Sequence, residues 1–267
     1  MATYTGKSIV VTGASSGIGK ALCLALAPQR PRLVLAARDA ARLQEVAAAC
    51  RPAGAETLVV PTDVTLEEEC RRLVEQTVER FGGLDVLVNN AGIGMLARFD
   101  EVSDLSVYDR LMQVNYLGSV YPTFYALPHL KKSRGQIVVM ASQAGLTGVP
   151  TRSGYAASKH AVFGFFDSLR IELDGTGVSV TIVAPYFVAS EIRRRAAGPD
   201  GKPLGTSAMK EDEIMTAEQC AALTLRGMER RQRLVITNWR GRFGRLVRIF
   251  APGLVDRIAL KAVREGR

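Results

Sequence analysis

The chain alternates short, almost continuously apolar runs with longer segments in which apolar positions recur every three or four residues. The runs are "KSIVVT" (7–12), "RLVLAA" (32–37), "TLVVP" (57–61), "LDVLVNN" (84–90), "GQIVVMAS" (135–142), "VSVTIVAP" (178–185) and "RLVIT" (233–237). Their β-branched content and continuous hydrophobicity predict strands covered on both faces. Between them, residues 17–27, 40–50, 66–81, 104–130, 152–173 and 216–230 carry helical periodicity, the first of them stopped before Pro28. Strands alternating with helices of this length predict parallel pairing through right-handed crossovers, hence an α/β fold with a doubly wound parallel seven-stranded sheet and helices on both faces. No Gly/Ser linker divides the sequence, so residues 1–267 are expected to form one domain. The irregular stretch 189–215, "ASEIRRRAAGPDGKPLGTSAMKEDEIM", is a candidate substrate lid.

At 267 residues, 47% hydrophobic and 23% charged, the chain is long enough for one large core and shows no bias toward disorder. Its apolar stretches fall well short of the ~20 residues of a bilayer span, and strand sequence begins almost at once without a signal-peptide pattern. A cytoplasmic protein is expected. Cys23, Cys50, Cys70 and Cys220 lie far apart without C-x-x-C spacing, and two histidines are too few for a histidine-based metal site. The net charge of +9 hints at nucleic acid until it is located. Residues 226–267 hold twelve Lys/Arg against three Asp/Glu, leaving twenty-three of each sign in the body. Within the extension 240–267, Phe243, Leu246, Val247 and Phe250, then Leu254, Ile258 and Ala262 beyond Pro252-Gly253, recur at helical spacing among basic residues that include Arg242 and Arg245. Such a segment suits peripheral contact with a membrane surface, or an arm packed on its own sheet or on a partner subunit. Without interleaved base-stacking aromatics or a reading motif, no nucleic-acid partner is expected.

The first strand runs directly into "TGASSGIGK", with Gly13, Gly17 and Gly19. Glycines at a strand-to-helix turn let backbone N–H groups approach a pyrophosphate, and the helix N-terminus adds partial positive charge. The spacing is T-G-x-x-x-G-x-G. Further on, "SGYAASKHAVFG" (153–164) sets Tyr155 and Lys159 one helical turn apart on one face. An ammonium beside a phenol favours the phenolate and draws a pKa near 10 toward the operating pH, so the pair is expected to move protons. Each residue has a plainer reading: Tyr155 as a core tyrosine, Lys159 as a snorkelling lysine, Ser142 as a strand-end turn former and Asn115 as a buried polar group. His160 faces elsewhere on the helix. A Ser142–His160–Asp167 hydrolase triad is disfavoured, because "ASQAG" is not G-x-S-x-G.

Together with "NNAG" (89–92), Asn115 and Ser142, these motifs resemble those of the short-chain dehydrogenase/reductase family, in order and separation, over residues 7–237. The resemblance implies a single Rossmann-like domain, an NAD(P) cofactor, a small-molecule carbonyl or alcohol substrate, and a homodimer or homotetramer built from the long helices. It implies a catalytic set of Asn115, Ser142, Tyr155 and Lys159. Tyr155 would be general acid in carbonyl reduction and general base in alcohol oxidation; Ser142 would orient the substrate oxygen. Lys159 would also bind nicotinamide-ribose hydroxyls, and Asn115 would position a water linking the lysine to solvent. The implied cofactor contacts are Gly13, Ser15, Ser16, Gly17, Ile18 and Gly19 at the phosphates, Asp63 and Val64 at the adenine, Asn90, Ala91 and Gly92 alongside, and Pro185, Val188 and Ser190 with Tyr155 and Lys159 at the nicotinamide.

Cofactor choice rests on "LAARDAARL" (35–43). An acidic residue at the end of the second strand would bind a ribose 2′-hydroxyl, whereas an arginine accommodates a 2′-phosphate. Arg38 offers that guanidinium, and Asp39 is expected to cap the next helix, so the expectation is NADP(H), with NAD(H) as the alternative. After the sixth strand the family's P-G-x-x-x-T becomes "PYFVAS", with Tyr186 for the glycine and Ser190 for the threonine. Local similarity of "NYLGSVYPT" and "ASQAG" to 3-ketodihydrosphingosine reductases, and of "YAASKHAVFGFFDSLRIEL" to the 11-beta-hydroxysteroid-dehydrogenase-like branch, points to bulky hydrophobic carbonyls. The expected activity is NADP(H)-dependent interconversion of a ketone or aldehyde and an alcohol. The alternative is an NADP-binding regulatory protein without turnover.

Overall fold

The computed structural model describes residues 3–189, 191–205, 214–238, 241, 243, 247, 248 and 250–264. Strands β1 (Ser8–Thr12), β2 (Arg32–Ala37), β3 (Glu56–Pro61), β4 (Val86–Asn89), β5 (Gln136–Met140), β6 (Ser179–Ala184) and β7 (Leu234–Ile236) form one sheet in the order β3-β2-β1-β4-β5-β6-β7, parallel at each junction. Every predicted strand is present. Helices α1 (Gly17–Leu26), α2 (Ala40–Cys50), α3 (Glu67–Phe81), α4 (Ser106–Leu111), α5 (Gly118–Ser133), α6 (Ser153–Glu172) and α7 (Ala217–Glu229) supply the crossovers.

The two-residue period of the strands divides the core. Ile9, Val11, Leu33 and Leu35 pack on one face with Leu22 and Leu26 of α1 and Cys220 of α7. Val10, Val34, Leu87 and Ile137 pack on the other with Leu73 of α3, Leu130 of α5 and Phe166 of α6. All four cysteines are buried free thiols. Because β1 lies between β2 and β4, the chain winds outward in both directions from this pair, and a crevice opens beyond the carboxyl ends of β1 and β4.

Two of the helices depart from regular geometry. α1 gives way to a 3-10 turn, Ala27–Gln29, that contains Pro28, whose ring and missing N–H disfavour a continuing helix. The helix expected over 104–130 is three pieces, α4, a π-helical turn Met112–Leu117 and α5. A distant contact and a nearby proline accompany the break. Gly118 packs so closely on Val64 that a Cβ would come within 2.6 Å of the valine side chain, and Pro122 cannot donate to the Gly118 carbonyl.

The candidate lid is irregular over 191–205, tied down by isolated bridges Met95–Ala197 and Ala197–Pro203; Ser190 and residues 206–213 lie outside the described residues. Helix α8 (Pro252–Arg264) forms within the C-terminal extension, where Arg242, Arg245 and Leu246 fall outside the described residues. Among the described residues no helix is long and apolar enough to cross a membrane.

Candidate active site

The crevice is a single cleft of about 2080 Å³. Its floor at one end is the glycine turn. Gly13 and Gly17 have φ of 65° and 53°, the left-handed region that side chains avoid. A Cβ on Gly19 would fall 2.3 Å from the Gly13 carbonyl oxygen, so α1 can sit this close to the turn only with glycine there. Ser16, the N-cap of α1, makes no side-chain cap bond, leaving first-turn N–H groups without that partner at a terminus suited to an anion. The turn is braced from β4. Asn90 Nδ2 donates to the main-chain oxygens of Thr12 (2.9 Å) and Gly13 (3.2 Å), and Thr12 Oγ1 accepts from the Asn90 and Ala91 N–H groups at 2.9 and 3.1 Å. Thr12 and Asn90 thus hold the loop that a phosphate would touch.

Gly13, Ser15, Ser16, Gly17, Ile18, Arg38, Asp63, Val64, Asn90, Ala91 and Gly92 line the cleft at this end. Arg38 is 76% exposed and pairs loosely with Asp63 at 4.0 Å, so its guanidinium remains available. Asp39 caps α2, accepting from the Arg42 N–H at 3.1 Å, as expected. The Arg42 guanidinium pairs with Asp39 at 3.5 Å and bonds to Glu191 at 2.8 Å, joining α2 to the irregular segment. A glycine turn at a helix N-terminus, an available guanidinium at the end of β2 and a deep cleft between them fit a nicotinamide dinucleotide.

Ser142, Tyr155 and Lys159 line the same cleft farther along, with Pro185 and Val188. β5 delivers Ser142, which caps a short 3-10 turn by accepting from the Ala144 N–H at 3.2 Å; it is the turn former of its plainer reading and also faces the phenol. α6 delivers the other two. Lys159 is buried, and its Nζ donates to the Met140 carbonyl at 2.8 Å. Burial lowers its pKa to about 8. Tyr155 departs from the expectation. Burial raises the phenol above its ordinary value, and the opposing influences are the Ser142 hydroxyl and the Arg152 charge. The ammonium, bonded to Met140 and 5.9 Å from the Tyr155 ring centroid, is turned toward β5, and in this state the pair favours the neutral phenol.

Asn115 lies outside the cleft wall. Fully buried in the π-helical turn, it donates from Nδ2 to the Ile93 carbonyl (3.0 Å) and Ser158 Oγ (2.9 Å), while Oδ1 accepts from the Ile93 N–H (2.8 Å). Ser158 in turn donates to the Tyr155 carbonyl at 2.8 Å. Asn115 therefore ties the loop after β4 to the helix that carries Tyr155 and Lys159. His160 bonds to the Ala156 carbonyl, and Asp167 pairs with Arg170 and Arg233, so neither joins Ser142 in a triad.

Several cleft residues escape a reading by motif. Arg152, the residue before α6, and Arg193 both lie over the Phe187 ring, each 5.3 Å from its centroid. Val255 and Ile258 of α8 reach the cleft from the C-terminal extension. An arginine three residues before Tyr155 is the one visible hint among them.

The model of the short chain dehydrogenase family matches residues 7–199. An 11-beta-hydroxysteroid dehydrogenase of Pinus massoniana is 40% identical over 259 residues, covering 94% of this chain and 72% of the relative. A short chain dehydrogenase/reductase from Burkholderia phymatum, solved in complex with NAD, superposes with a TM-score of 0.81 at 27% identity, covering 95% of this chain and 96% of that one. An alcohol dehydrogenase from the archaeon Thermococcus sibiricus, complexed with 5-hydroxy-NADP, does so with a TM-score of 0.74 at 28% identity, covering 86% and 95%. The sheet order, the glycine turn and these likenesses agree: the chain belongs to the short-chain dehydrogenase/reductase family of nicotinamide-dependent oxidoreductases.

Proposed function

We propose that this chain is an NADP(H)-dependent oxidoreductase that interconverts a ketone or aldehyde and an alcohol, acting on a substrate with a bulky hydrophobic body. One observation carries the reading: Ser142, Tyr155 and Lys159 line the same cleft as the glycine turn and Arg38. When bound, the nicotinamide supplies the hydride. Arg38 receives the 2′-phosphate of NADP(H) in preference to the bare ribose of NAD(H). The Ser142 hydroxyl holds the substrate oxygen against Tyr155, whose burial keeps the phenol protonated and ready to donate during reduction. In oxidation the same oxygen, once ionised, takes the proton back. Lys159 Nζ holds its ammonium on the Met140 carbonyl within the same wall, near enough to Gly92 that a Cβ there would lie 3.7 Å from it. Asn115 keeps that wall in register through Ile93 and Ser158; a water held between Lys159 and solvent remains part of its proposed role. Ile93, Leu146 and Val149 give the substrate end apolar walls, which supports a bulky hydrophobic ligand.

A panel of aldehydes and ketones, followed by loss of absorbance of NADPH or NADH, tests this reading. Turnover of bulky ketones is expected, with kcat/KM about tenfold or more in favour of NADPH. Equal or better use of NADH discards the NADP(H) assignment. Tight NADPH binding without turnover across the panel replaces the enzyme by a regulatory dinucleotide-binding protein.

The family resemblance also supports a homodimer or homotetramer, and Phe124 on α5 and Ile171 on α6 are large apolar side chains left 68% and 64% exposed. The 240–267 extension supports peripheral membrane contact. Leu254 and Ile258 of α8 are exposed, as is Phe250 just before it. Liposome co-sedimentation with and without these residues distinguishes lipid contact from an arm that only covers the cleft.

A further inference from the structure

A side pocket of about 50 Å³ opens from the substrate end of the cleft, bounded by Gly94, Leu96, Arg152, Tyr155, Ile192 and Arg193. That is several times the ~10–15 Å³ that one water requires. Two of its lining residues are arginines and none is acidic. Arg152 is half-buried, and its charge is balanced by no carboxylate among the described residues; the group that senses it is the Tyr155 phenol. Phe187 holds the pair in place by presenting its ring to both cations. Unlike Arg152, Arg195 of the cleft meets an acid, pairing with Glu191. A partly desolvated cation without a counter-ion is costly unless a ligand supplies one.

We propose that this side pocket is an anion subsite for the substrate, receiving a carboxylate carried on the same molecule as the carbonyl that faces Tyr155. The planar fork of Arg152 suits a carboxylate. The preferred substrate is then an oxo acid or hydroxy acid whose hydrophobic body fills the main cleft and whose acidic group turns into the side pocket. This inference rests on the reading of Tyr155 as the proton donor, but the pocket's preference for an anion can be measured without turnover.

Binding of hexanoate and of the neutral, nearly isosteric hexanamide to the NADP+-loaded protein is measured by calorimetry, for the unaltered chain and for Arg152→Gln and Arg152→Lys. Hexanoate should bind at least about tenfold more tightly than hexanamide; Arg152→Gln should abolish the difference and Arg152→Lys should restore part of it. Equal binding of acid and amide by the unaltered chain overturns the proposal, as does a preference that survives in an Arg152→Gln variant shown by circular dichroism to be folded. In parallel, 4-oxopentanoate and 5-oxohexanoate are compared with their methyl esters as substrates. The acid-to-ester ratio of kcat/KM should exceed about ten and collapse toward one in Arg152→Gln. If Arg152 serves only to tune Tyr155, both forms slow alike and hexanoate binding is unmoved, which refutes the subsite. Tight hexanoate binding with no turnover of any acid or ester would instead count against the oxidoreductase reading and leave the subsite standing.

Discussion

Lys159 Nζ donates a 2.8 Å hydrogen bond to the carbonyl oxygen of Met140, the last residue of β5. The bond crosses from α6 to the sheet and places a buried ammonium at the strand end that leads to Ser142. Such a charge has a cost. Its pKa falls from 10.5 to about 8 on burial, so the fold favours the neutral amine. Below about pH 8 the folded chain bears the full penalty, and the penalty fades as pH rises toward the unfolded value.

Replacing Lys159 by Met should therefore stabilise the folded chain at neutral pH. A shift of this size corresponds to about 3 kcal/mol, and loss of the Met140 bond offsets part of it, so a net gain of about 1–2 kcal/mol is expected. Denaturant midpoints measured at neutral pH and near pH 10 check this. The gain should shrink at the higher pH, and a gain independent of pH would mean that the charge is not its source.

Tyr155→Phe removes the hydroxyl from a site where burial favours its protonated form. Reduction should slow by about 10²-fold or more, the usual scale of general acid catalysis, while NADPH affinity measured by fluorescence titration stays within about threefold. In the unaltered protein, carbonyl reduction should be nearly level over about pH 6 to 8, whereas alcohol oxidation should climb with pH because the phenol must first lose its proton. Undiminished reduction by the folded, coenzyme-loaded phenylalanine variant would remove Tyr155 from the chemistry.

Asn115→Ala deletes three hydrogen bonds and strips both the N–H and the carbonyl of Ile93 of their Asn115 partner. A loss of about 2 kcal/mol or more is expected, since each stranded polar group costs about 1–3 kcal/mol. Chemical denaturation measures it. A variant as stable as the parent would show that water replaces the amide without penalty.

Arg38→Ala should raise the KM for NADPH about 10- to 100-fold and leave that for NADH nearly unchanged, the scale expected for losing a charge-assisted bond to phosphate. Stability should barely move, because the exposed pair with Asp63 is long at 4.0 Å. Steady-state rates with both cofactors decide the point; a parallel loss with NADH would mean that Arg38 supports the site in some way other than phosphate recognition.

The strands were legible because buried parallel strands are apolar over nearly their whole length, as in "SIVVT" of β1, where three apolar residues stand between Ser8 and Thr12 and all five are buried. Asp39 could be assigned to a helix cap because an aspartate just ahead of a periodic segment has a local role. The break at 112–117 was not legible. It depends on Val64 lying against Gly118 from another part of the chain. The direction of the Tyr155 shift was missed for a similar reason: four-residue spacing places Lys159 on the right face, but only the sheet supplies the Met140 carbonyl that takes up its ammonium.

The sequence alone determined the parallel seven-stranded sheet and the glycine turn, because hydrophobic period and turn chemistry act over a few neighbouring residues. Tertiary structure decided which side chains share a wall. It made Asn115 a clamp between Ile93 and Ser158, and set Arg152 and Arg193 on one phenylalanine. It also brought α8 to the cleft. These relationships depend on burial and on partners distant in the chain, and the energies that shift a pKa or hold a cation against a ring exist only once those partners are packed together.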